Sequence, residues 1–271
     1  MRAALQAKFC QLAKQRARTA EFFLHKQENQ MEHVIILAGG KGERLRPLTE
    51  DRPKAMVPVM GNPLLAFQLK WLRASGFKNV LISCGYMNEV IRNHFGDGSR
   101  HQVSIQYLIE EQPLGRGGGL KNALKQIRHV KTPILAINGD AITNLNLSDF
   151  TAFHKKEGGL ASVATVPLKS PYGIVEYGGE GAGIAGFTEK PELPYWINAG
   201  MYVLQPEIFD LLPDVGDHEE LTFPQLAREG KLKGFKTRAF WRTVDTVKDL
   251  SELRSDVEQL FFGAFFQNVA V

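Results

Sequence analysis

Residues 33–49 read HVIILAGGKGERLRPLT, an apolar, β-branched run that leads directly into a glycine-rich turn. Residues 52–59, RPKAMVPV, extend the same segment. A glycine-rich turn that follows a strand lets backbone N–H groups approach phosphate oxygens. Arg44 and Lys54 flank the turn as fixed positive charges. The segment therefore predicts a phosphate-binding loop at the carboxyl end of the first strand.

The turn differs from two common phosphate-binding motifs. A dinucleotide-binding turn needs a third glycine, but Leu45 stands where it should follow Gly40 and Gly42. No G-x-x-x-x-G-K-[ST] stretch occurs in the chain either. A tight β-to-α turn with a solvated basic face would explain a lone glycine-rich turn. It does not explain a patterned run that extends to residue 59.

Outward from this turn, apolar runs of strand length alternate with stretches of helical period. The apolar runs lie at 33–38, 79–84, 103–108 and 133–138. The helical stretches lie at 63–75, 88–94, 120–127 and 147–156. Strands that alternate with helices predict an α/β fold in which helices cover both faces of a mainly parallel sheet.

The second half of the chain has a different pattern. Strand-like runs at 160–166, 173–177, 183–187 and 199–204 are joined by Gly- and Pro-containing turns. Helices are expected only near 206–212 and 222–229. This pattern predicts a mixed, partly antiparallel extension of the sheet. No Pro/Gly/Ser-rich linker divides residues 31–271, so one domain with two lobes is expected.

The composition is that of an ordinary soluble globular protein, with 44% hydrophobic and 23% charged residues. Cys10 and Cys84 form no C-x-x-C pair, so neither a disulfide framework nor a zinc site is predicted. No apolar run approaches the ~20 residues that a membrane span needs. We expect a cytoplasmic protein with no membrane partner. The apolar tail, residues 261–266, is expected to dock on the domain or on another subunit, which leaves a homo-oligomer open.

The excess of positive charge is confined to the N-terminus. Residues 1–30 carry six Lys or Arg and two Asp or Glu, whereas the rest of the chain carries 27 of each. The body is therefore not a polyanion-binding surface, and no nucleic acid is expected as a partner. Residues 1–30 are predicted to lie outside the fold. Three interpretations stay open for them: an extension of little function, an amphipathic partner-binding helix, or a targeting peptide.

The segment 37–59 resembles the signature of the sugar-phosphate nucleotidyltransferases, also called nucleotide-sugar pyrophosphorylases. Their pattern is Gly-Gly-x-Gly-x-Arg-Leu-x-Pro-Leu-Thr followed by Pro-Lys-Pro-Met. This sequence differs at Glu43, where Thr is usual, and at Ala55, where Pro is usual. Further matches follow in family order: EEQPLG at 110–115, NGD at 138–140, YGIVE at 172–176, FTEKP at 187–191, NAGMY at 198–202 and VDT at 244–246.

The resemblance spans residues 33–255 and is closest to mannose-1-phosphate and heptose-1-phosphate guanylyltransferases. It implies a Rossmann-like fold over residues 31–271, with a nucleotide lobe at 31–158, a sugar-phosphate lobe at 159–255 and a C-terminal helical tail. It also implies transfer of a nucleotidyl group from a nucleoside triphosphate to a sugar 1-phosphate, with release of pyrophosphate.

The resemblance and the local chemistry together give the candidate site residues. The expected nucleotide-binding residues are Leu37, Gly39, Gly40, Gly42, Arg44, Lys54, Glu110 and Gly115, of which Arg44 and Lys54 are also the catalytic candidates. The expected sugar-phosphate-binding residues are Gly173, Glu189, Lys190 and Asn198. Asp140 and Asp245 are the expected ligands of Mg²⁺.

These residue types suit a reaction between two anions, because catalysis then depends on positioning and on neutralisation of charge. Arg44 and Lys54 suit the triphosphate, where charge builds on the leaving group. Asp140 follows the strand 133–138, at the edge where open α/β sheets bind ligands. Two carboxylates with phosphate oxygens make a Mg²⁺ site, since that ion takes few protein ligands. Each aspartate alone could equally be a helix cap or a turn residue.

For the sugar phosphate, Lys190 is the natural cation, and Pro191 is expected to hold it extended. Glu189 can accept hydrogen bonds from sugar hydroxyls, Asn198 can both donate and accept, and Gly173 permits close approach of the backbone. The alternative is a surface β-turn with an ion pair.

Residues 115–119, GRGGG, open the helix predicted at 120–127. Glycines are costly in a helix, so we expect them to keep space free for a base and ribose. Arg116 stands where the family commonly has Thr, and the sequence leaves open whether it contacts phosphate or lies in solvent. The histidines at 94, 101, 129, 154 and 218 show no metal-ligand spacing.

GTP is the predicted nucleotide, with Glu110 as the residue that recognises the base. A carboxylate only accepts hydrogen bonds, and guanine offers the adjacent donors N1–H and the 2-amino group. Uridylyl and thymidylyl relatives tend to carry Gln at this position. Glu111 is close enough in sequence to be the reader instead. Two alternatives stay open: a uridylyl- or thymidylyltransferase acting on glucose 1-phosphate or another sugar 1-phosphate, and a non-catalytic regulatory subunit, which would not need to keep both basic and both acidic candidates.

Overall fold

The computed structural model describes residues 31–179 and 181–261. The strands are β1 (His33–Leu37), β2 (Pro58–Val59), β3 (Asn62–Pro63), β4 (Asn79–Cys84), β5 (Ser104–Ile109), β6 (Ile134–Asn138), β7 (Ala141–Thr143), β8 (Ala161–Lys169), β9 (Ile174–Tyr177), β10 (Ile184–Thr188), β11 (Glu192–Leu204), β12 (Leu232–Lys236) and β13 (Trp241–Thr243). The α-helices are α1 (Leu64–Ala74), α2 (Asn88–Phe95), α3 (Gly115–Gln126), α4 (Leu147–Glu157), α5 (Thr222–Arg228) and α6 (Val247–Phe261). The predictions for residues 1–30 and for the apolar tail beyond Phe261 lie outside the described residues.

A seven-stranded sheet runs through the molecule in the order β12-β8-β11-β6-β1-β4-β5. β1 pairs in parallel with β4 and β6, β4 with β5, and β8 with β12. Only β11 is antiparallel to its neighbours, β6 and β8. The predicted mixed but mainly parallel α/β sheet is therefore confirmed. A separate antiparallel pair, β9 and β10, supplies further antiparallel structure in the second half.

Helices cover both faces of this sheet, as the alternating pattern predicted. Ile36 of β1 lies in a buried cluster with apolar side chains of α1, α2 and α4. Its neighbour Ile35 points to the other face and packs with side chains of α3 and α5. Successive side chains of a strand face opposite ways, so a strand that is buried on both faces must be apolar throughout.

Several elements differ from the sequence-based expectation. β11 begins at Glu192, ahead of the expected strand at 199–204, and the expected helix at 206–212 is a 3₁₀-helix, Pro206–Leu211. β7, β12 and β13 were not expected. β7 and β13 have only three residues each, and β12 lies at an edge of the sheet with residues that are only partly buried, so the apolar pattern of all three is weak.

Two glycines of the run, Gly117 and Gly118, have a different role from the one expected, whereas Gly115 and Gly119 line the cavity described below. The helix begins at Gly115 rather than near residue 120, so the glycines lie inside it. A Cβ on Gly117 would come within 2.7 Å of the His218 backbone nitrogen, and one on Gly118 would collide with the carbonyl oxygen of Asp214. At these two positions the glycines make room for the loop at 213–221, and the prediction that they keep space for a base and ribose is wrong.

The C-terminal helix is tied to the first half of the chain. Leu250 and Leu253 of α6 pack in a third buried cluster with Leu45, Val57 and other apolar residues. The same cluster includes Val244, so the end of β13 lies next to the loop after β1. No helix within 31–179 and 181–261 is long and apolar enough to cross a membrane.

Candidate functional site

A cavity of about 600 Å³ opens at the carboxyl ends of β1, β4 and β6. The sequence-predicted residues that line it are Leu37, Gly39, Gly40, Lys54, Glu110, Gly115 and Asp140. Glu111 and Arg116 also line it. The sheet register explains this convergence, because Leu37 of β1 lies beside Ser83 of β4 and Asn138 of β6. Ligands of open α/β sheets bind at this edge.

The loop after β1 is held by backbone hydrogen bonds and by the Thr49 hydroxyl, which donates to the Gly42 carbonyl oxygen at 2.8 Å. The Ala38 N–H donates to the Ser83 carbonyl oxygen at 2.7 Å, and the Lys54 N–H donates to the Gly40 carbonyl oxygen at 3.2 Å. Gly42 does not line the cavity. It has a φ of 69°, and a Cβ there would lie 3.0 Å from both the Lys54 Cβ and the Thr49 Cγ2. Gly42 thus allows Lys54 and Thr49 to pack closely against the loop.

The strongest charge cluster joins residues that are far apart in sequence. The Lys54 ammonium donates to Asp140 Oδ2 at 2.6 Å and to Asp245 Oδ1 at 2.8 Å. Arg44 donates to the same Asp245 oxygen at 2.8 Å. The Lys54 side chain is only 13% exposed, whereas that of Arg44 is 72% exposed. The structure therefore brings both catalytic candidates and both metal-ligand candidates together.

Burial and charge act in opposite directions on this cluster. Burial lowers the pKa of Lys54, but the carboxylates of Asp140 and Asp245 outweigh burial and raise it overall. Burial raises the pKa of Asp245, but Lys54 and Arg44 outweigh burial and hold it below its ordinary value. Lys54 and Asp245 therefore carry their charges at neutral pH, as binding of phosphate or a cation requires.

The two aspartates suit a cation that takes few protein ligands. Asp140 Oδ1 is buried and has no hydrogen-bond partner in the described structure, so one oxygen is left for a further ligand. Within the described ranges no group of three or more His, Cys, Asp or Glu forms a closed metal site. Mg²⁺ prefers oxygen ligands and keeps several waters, so a pair of carboxylates fits it.

Glu110 is held in the cavity wall by two residues of the neighbouring strand β4. Its N–H donates to the Cys84 carbonyl oxygen at 2.9 Å, and its Oε1 accepts from the Ser83 hydroxyl at 2.6 Å. Burial raises the pKa of the adjacent Cys84 thiol to about 11, and the Glu110 charge adds to the effect. The neighbouring Glu111 is exposed and makes no such hydrogen bond in the described structure.

The sugar-phosphate candidates lie outside the cavity wall. A Cβ on Gly173 would come within 2.8 Å of Glu189 Oε2, so these two residues are neighbours. Lys190 has a φ of 47° in the turn between β10 and β11, so the prediction of an extended lysine is wrong. Glu189 and Lys190 form a bend between β10 and β11, and this bend overrides the preference that the following proline imposes.

Asn198 is already engaged by the protein. Its amide donates to Glu219 Oε1 at 2.8 Å and to the Tyr202 hydroxyl at 3.0 Å, and its Oδ1 accepts from the Gly200 N–H at 2.8 Å. Arg116 reaches the same carboxylate from the cavity side, with an N–O distance of 2.8 Å, and pairs with Asp217 as well. Arg116 is thus neither free nor simply solvated.

Sequence analysis missed this connection between the cavity and Asn198. The loop residues Asp217 and Glu219 lie a hundred positions from Arg116 and carry no motif of their own. The one local signal is the arginine itself, since an arginine inside a glycine run needs an acidic partner when it is partly buried. His218, which lies between the two acids, is fully buried in contact with the Tyr202 and Phe223 rings.

Comparison with known proteins gives the family. A model of nucleotidyl transferases matches residues 33–259. The chain belongs to this family. Mannose-1-phosphate guanylyltransferase of Mycobacterium tuberculosis is 34% identical over 233 residues, which cover 83% of this chain and 64% of the relative. The resemblance to sugar-phosphate nucleotidyltransferases is thereby confirmed.

Two further curated relatives differ in the nucleotide that they are named for. Mannose-1-phosphate guanyltransferase of Pichia angusta is 35% identical, covering 79% of this chain and 61% of the relative. UTP–glucose-1-phosphate uridylyltransferase of Synechocystis is 34% identical, covering 73% of this chain and 55% of the relative. The chain therefore spans about three-fifths of the length of its curated relatives.

A solved structure matches this chain over nearly the full length of the solved protein. HddC from Yersinia pseudotuberculosis has a TM-score of 0.68 and 27% identity, covering 83% of this chain and 99% of that one. A second structure of HddC, complexed with GMP-PN, has a TM-score of 0.66 and 26% identity over the same share of each chain. The described fold is thus that of a nucleotidyltransferase.

Proposed function

We propose that this protein transfers a nucleotidyl group, with GTP as the preferred donor, to the phosphate of a sugar 1-phosphate such as mannose 1-phosphate. The products are the nucleotide sugar and pyrophosphate. The observation that carries the proposal is the contact of Lys54 with both Asp140 and Asp245 at the rim of the cavity that Glu110 lines. A non-catalytic regulatory subunit would not need to keep this cluster.

The chain's own groups suit in-line transfer between two anions. The loop at Gly39 and Gly40 offers backbone to the triphosphate, and Lys54 and Arg44 offset the charge that builds on the departing pyrophosphate. Asp140 and Asp245 would hold Mg²⁺, which supplies further neutralisation of phosphate charge when bound.

Glu110 is the proposed reader of the base. A carboxylate can accept both N1–H and the 2-amino group of guanine, whereas uracil and thymine place a carbonyl beside their single N–H. A mismatched buried acceptor costs roughly 1–3 kcal/mol, and more if it is charged. The relatives named for guanylyl transfer and the HddC complex with GMP-PN support the same choice.

The sugar phosphate is assigned to the second lobe, residues 159–255, and the nucleotide to the first, residues 31–158. Lys190 would meet the phosphate, Glu189 would accept from sugar hydroxyls, and Gly173 would allow the ligand to approach the backbone. Asn198 would line the same pocket with its side chain held by Glu219.

The deciding experiment measures pyrophosphate release in the presence of Mg²⁺ for the four common nucleoside triphosphates against mannose 1-phosphate, glucose 1-phosphate and a heptose 1-phosphate. We expect turnover to be greatest with GTP and to vanish when a chelator removes the metal ion. Glu110→Gln should lower kcat/KM for GTP by about 10-fold or more, while Glu111→Gln, the matched control on the exposed neighbour, should leave it unchanged.

Each of the other possible outcomes would contradict a different part of the proposal. A parent that prefers UTP or dTTP would favour the uridylyl- or thymidylyltransferase alternative, which the Synechocystis relative represents. A parent with no turnover on any pair would favour the regulatory subunit. Loss of GTP preference in Glu111→Gln but not in Glu110→Gln would move the base reader by one residue.

A further inference from the structure

Ser83 lies near the carboxyl end of β4, directly after three apolar residues. β4 reads NVLISC, and Ser83 is only 1% exposed. Burial of a hydroxyl is unfavourable unless it is hydrogen-bonded. Its hydroxyl donates to Glu110 Oε1 at 2.6 Å, and its carbonyl oxygen accepts from the N–H of Ala38 in the glycine-rich loop. Ser83 thus touches both the phosphate loop and the carboxylate in the cavity wall.

Gly119 restrains the same carboxylate oxygen from the other side. A Cβ on Gly119 would lie 2.7 Å from Glu110 Oε1, closer than a carbon and an oxygen can approach without movement. Gly119 lies in α3 and is buried. Glu110 therefore sits between a hydroxyl that binds Oε1 and a helix that leaves just enough space for it. In the described structure, Oε2 accepts no hydrogen bond from the protein.

We propose that Ser83 is a positioning residue for nucleotide selection: its hydroxyl fixes the Glu110 carboxylate so that both oxygens can accept from guanine at once. The inference rests on the proposed guanylyl transfer. A carboxylate that is free to rotate can still accept one hydrogen bond but loses the paired geometry that distinguishes guanine from hypoxanthine. Hypoxanthine differs from guanine only in lacking the 2-amino group, so ITP is the probe.

The test compares kcat/KM for GTP and ITP in the parent, Ser83→Ala, Gly119→Ala and Glu110→Gln. We expect the parent to prefer GTP and Ser83→Ala to lower kcat/KM for GTP by about 10-fold, the size of one hydrogen bond to a charged group. The same change should affect ITP much less, so that the GTP-to-ITP ratio falls towards one. KM for the sugar 1-phosphate should stay unchanged.

Gly119→Ala displaces Glu110 without removing any polar group. Alanine is favoured over glycine inside a helix, and the nearest obstacle is the end of a side chain rather than backbone, so the variant should fold. It should also lower the GTP-to-ITP ratio. Ser162→Ala is the matched control, because Ser162 is equally buried and hydrogen-bonded but contacts His154 instead. The control should keep the parental ratio.

The Ser83→Ala, Glu110→Gln double variant separates positioning from a general structural effect. If Ser83 acts through Glu110, adding Ser83→Ala to Glu110→Gln should change the ratio no further. A Ser83→Ala or Gly119→Ala protein that keeps the parental ratio would overturn the inference, as would an equal loss for all nucleotides. A parent without GTP preference would overturn the proposed guanylyl transfer and this inference with it. A GTP-preferring parent that responds only to Glu110→Gln would overturn Ser83 alone.

Discussion

The nucleotide side and the sugar side of the proposed site are built differently. On the nucleotide side, Lys54 and Ser83 are largely buried and hold their acidic partners at 2.6–2.8 Å. On the sugar side, Tyr172 and Phe187 are 75% and 65% exposed. Neither Glu189 nor Lys190 forms an ion pair within the described ranges.

The difference follows from the supporting elements. The nucleotide side is the edge of a parallel sheet that is buried on both faces, so its side chains are restrained before any ligand arrives. The sugar side rests on the two-stranded β9–β10 sheet, which stays mostly exposed among the described residues. We therefore expect variants of the first side to change kcat and nucleotide choice, and variants of the second to change KM for the sugar phosphate.

Lys54→Ala tests the preformed side and should have the largest effect. Charge-stabilising groups in phosphoryl transfer contribute about 10³-fold or more, so kcat should fall by that factor while the protein stays folded. Steady-state kinetics with a thermal melt measure both. Lys121→Ala is the control, because Lys121 is similarly buried and paired with Asp214 at 2.8 Å, away from the cluster. A folded Lys54→Ala with near-normal turnover would contradict the assignment.

Lys190→Ala tests the exposed side. Loss of a charged hydrogen bond to phosphate should raise KM for the sugar 1-phosphate by about 10- to 100-fold, with KM for GTP unchanged. The melting temperature should not move, since no described ion pair is lost. Lys156→Ala, an exposed lysine on α4, is the control. An equal rise in both KM values would mean that the two sides are not separate.

Arg116→Thr tests the connection between the two sides. The change removes ion pairs with Asp217 and Glu219 and leaves the Asn198 amide with a less restrained acceptor. Partly exposed ion pairs contribute about 0–1 kcal/mol each, so we expect a loss of stability of that order. KM should rise by about 3- to 10-fold for both substrates, a range that corresponds to roughly one such pair. A change in KM for GTP alone would make Arg116 a nucleotide contact.

The smallest expected effect distinguishes two buried histidines. Both ring nitrogens of His154 are hydrogen-bonded, to Ser162 and Gln205, whereas neither nitrogen of His218 has a partner in the described structure. His154→Phe should lower the free energy of unfolding by about 1–3 kcal/mol, because it leaves Ser162 and Gln205 without their hydrogen-bond partner. His218→Phe should change stability by less than about 1 kcal/mol at pH 7.5, since it only removes unmade hydrogen bonds. Urea unfolding measures both.

The pH dependence of His218→Phe has a definite sign. Burial lowers the pKa of His218, although Glu219 and Asp217 oppose the shift. The unfolded chain then binds a proton more readily than the folded one. The contribution of the neutral His218 to stability is therefore complete above the ordinary pKa of 6.5, and it is lost as pH drops from there through the lowered pKa of the folded state. His218→Phe should flatten this loss between about pH 7 and 5. If the loss of stability with falling pH were unchanged in His218→Phe, groups other than His218 would be responsible for it.

Much of the fold could be predicted because it is local. The apolar runs that became β1, β4 and β6 and the turn after β1 are continuous in sequence, so their patterns survive without knowledge of their neighbours. The positions of Lys54 and Asp140 could be predicted for the same reason. Lys54 belongs to the motif after β1, and Asp140 follows the end of β6, so both were expected at the carboxyl edge of the sheet, where the structure has them. The edge strand β12 was not predicted, because its residues are only partly buried and its apolar pattern is weak.

The partners of these residues required the assembled molecule. Asp245 meets Lys54 across 191 positions, and Glu219 meets Arg116 across a hundred, only because α6 and the loop at 213–221 pack back on the first half. The glycines of α3 and the hydroxyl of Ser83 have meaning only beside the backbone and carboxylate that they meet. Periodicity and turn chemistry act over a few residues, whereas contact between distant segments depends on sheet register and on how helices fill space, which no local pattern encodes.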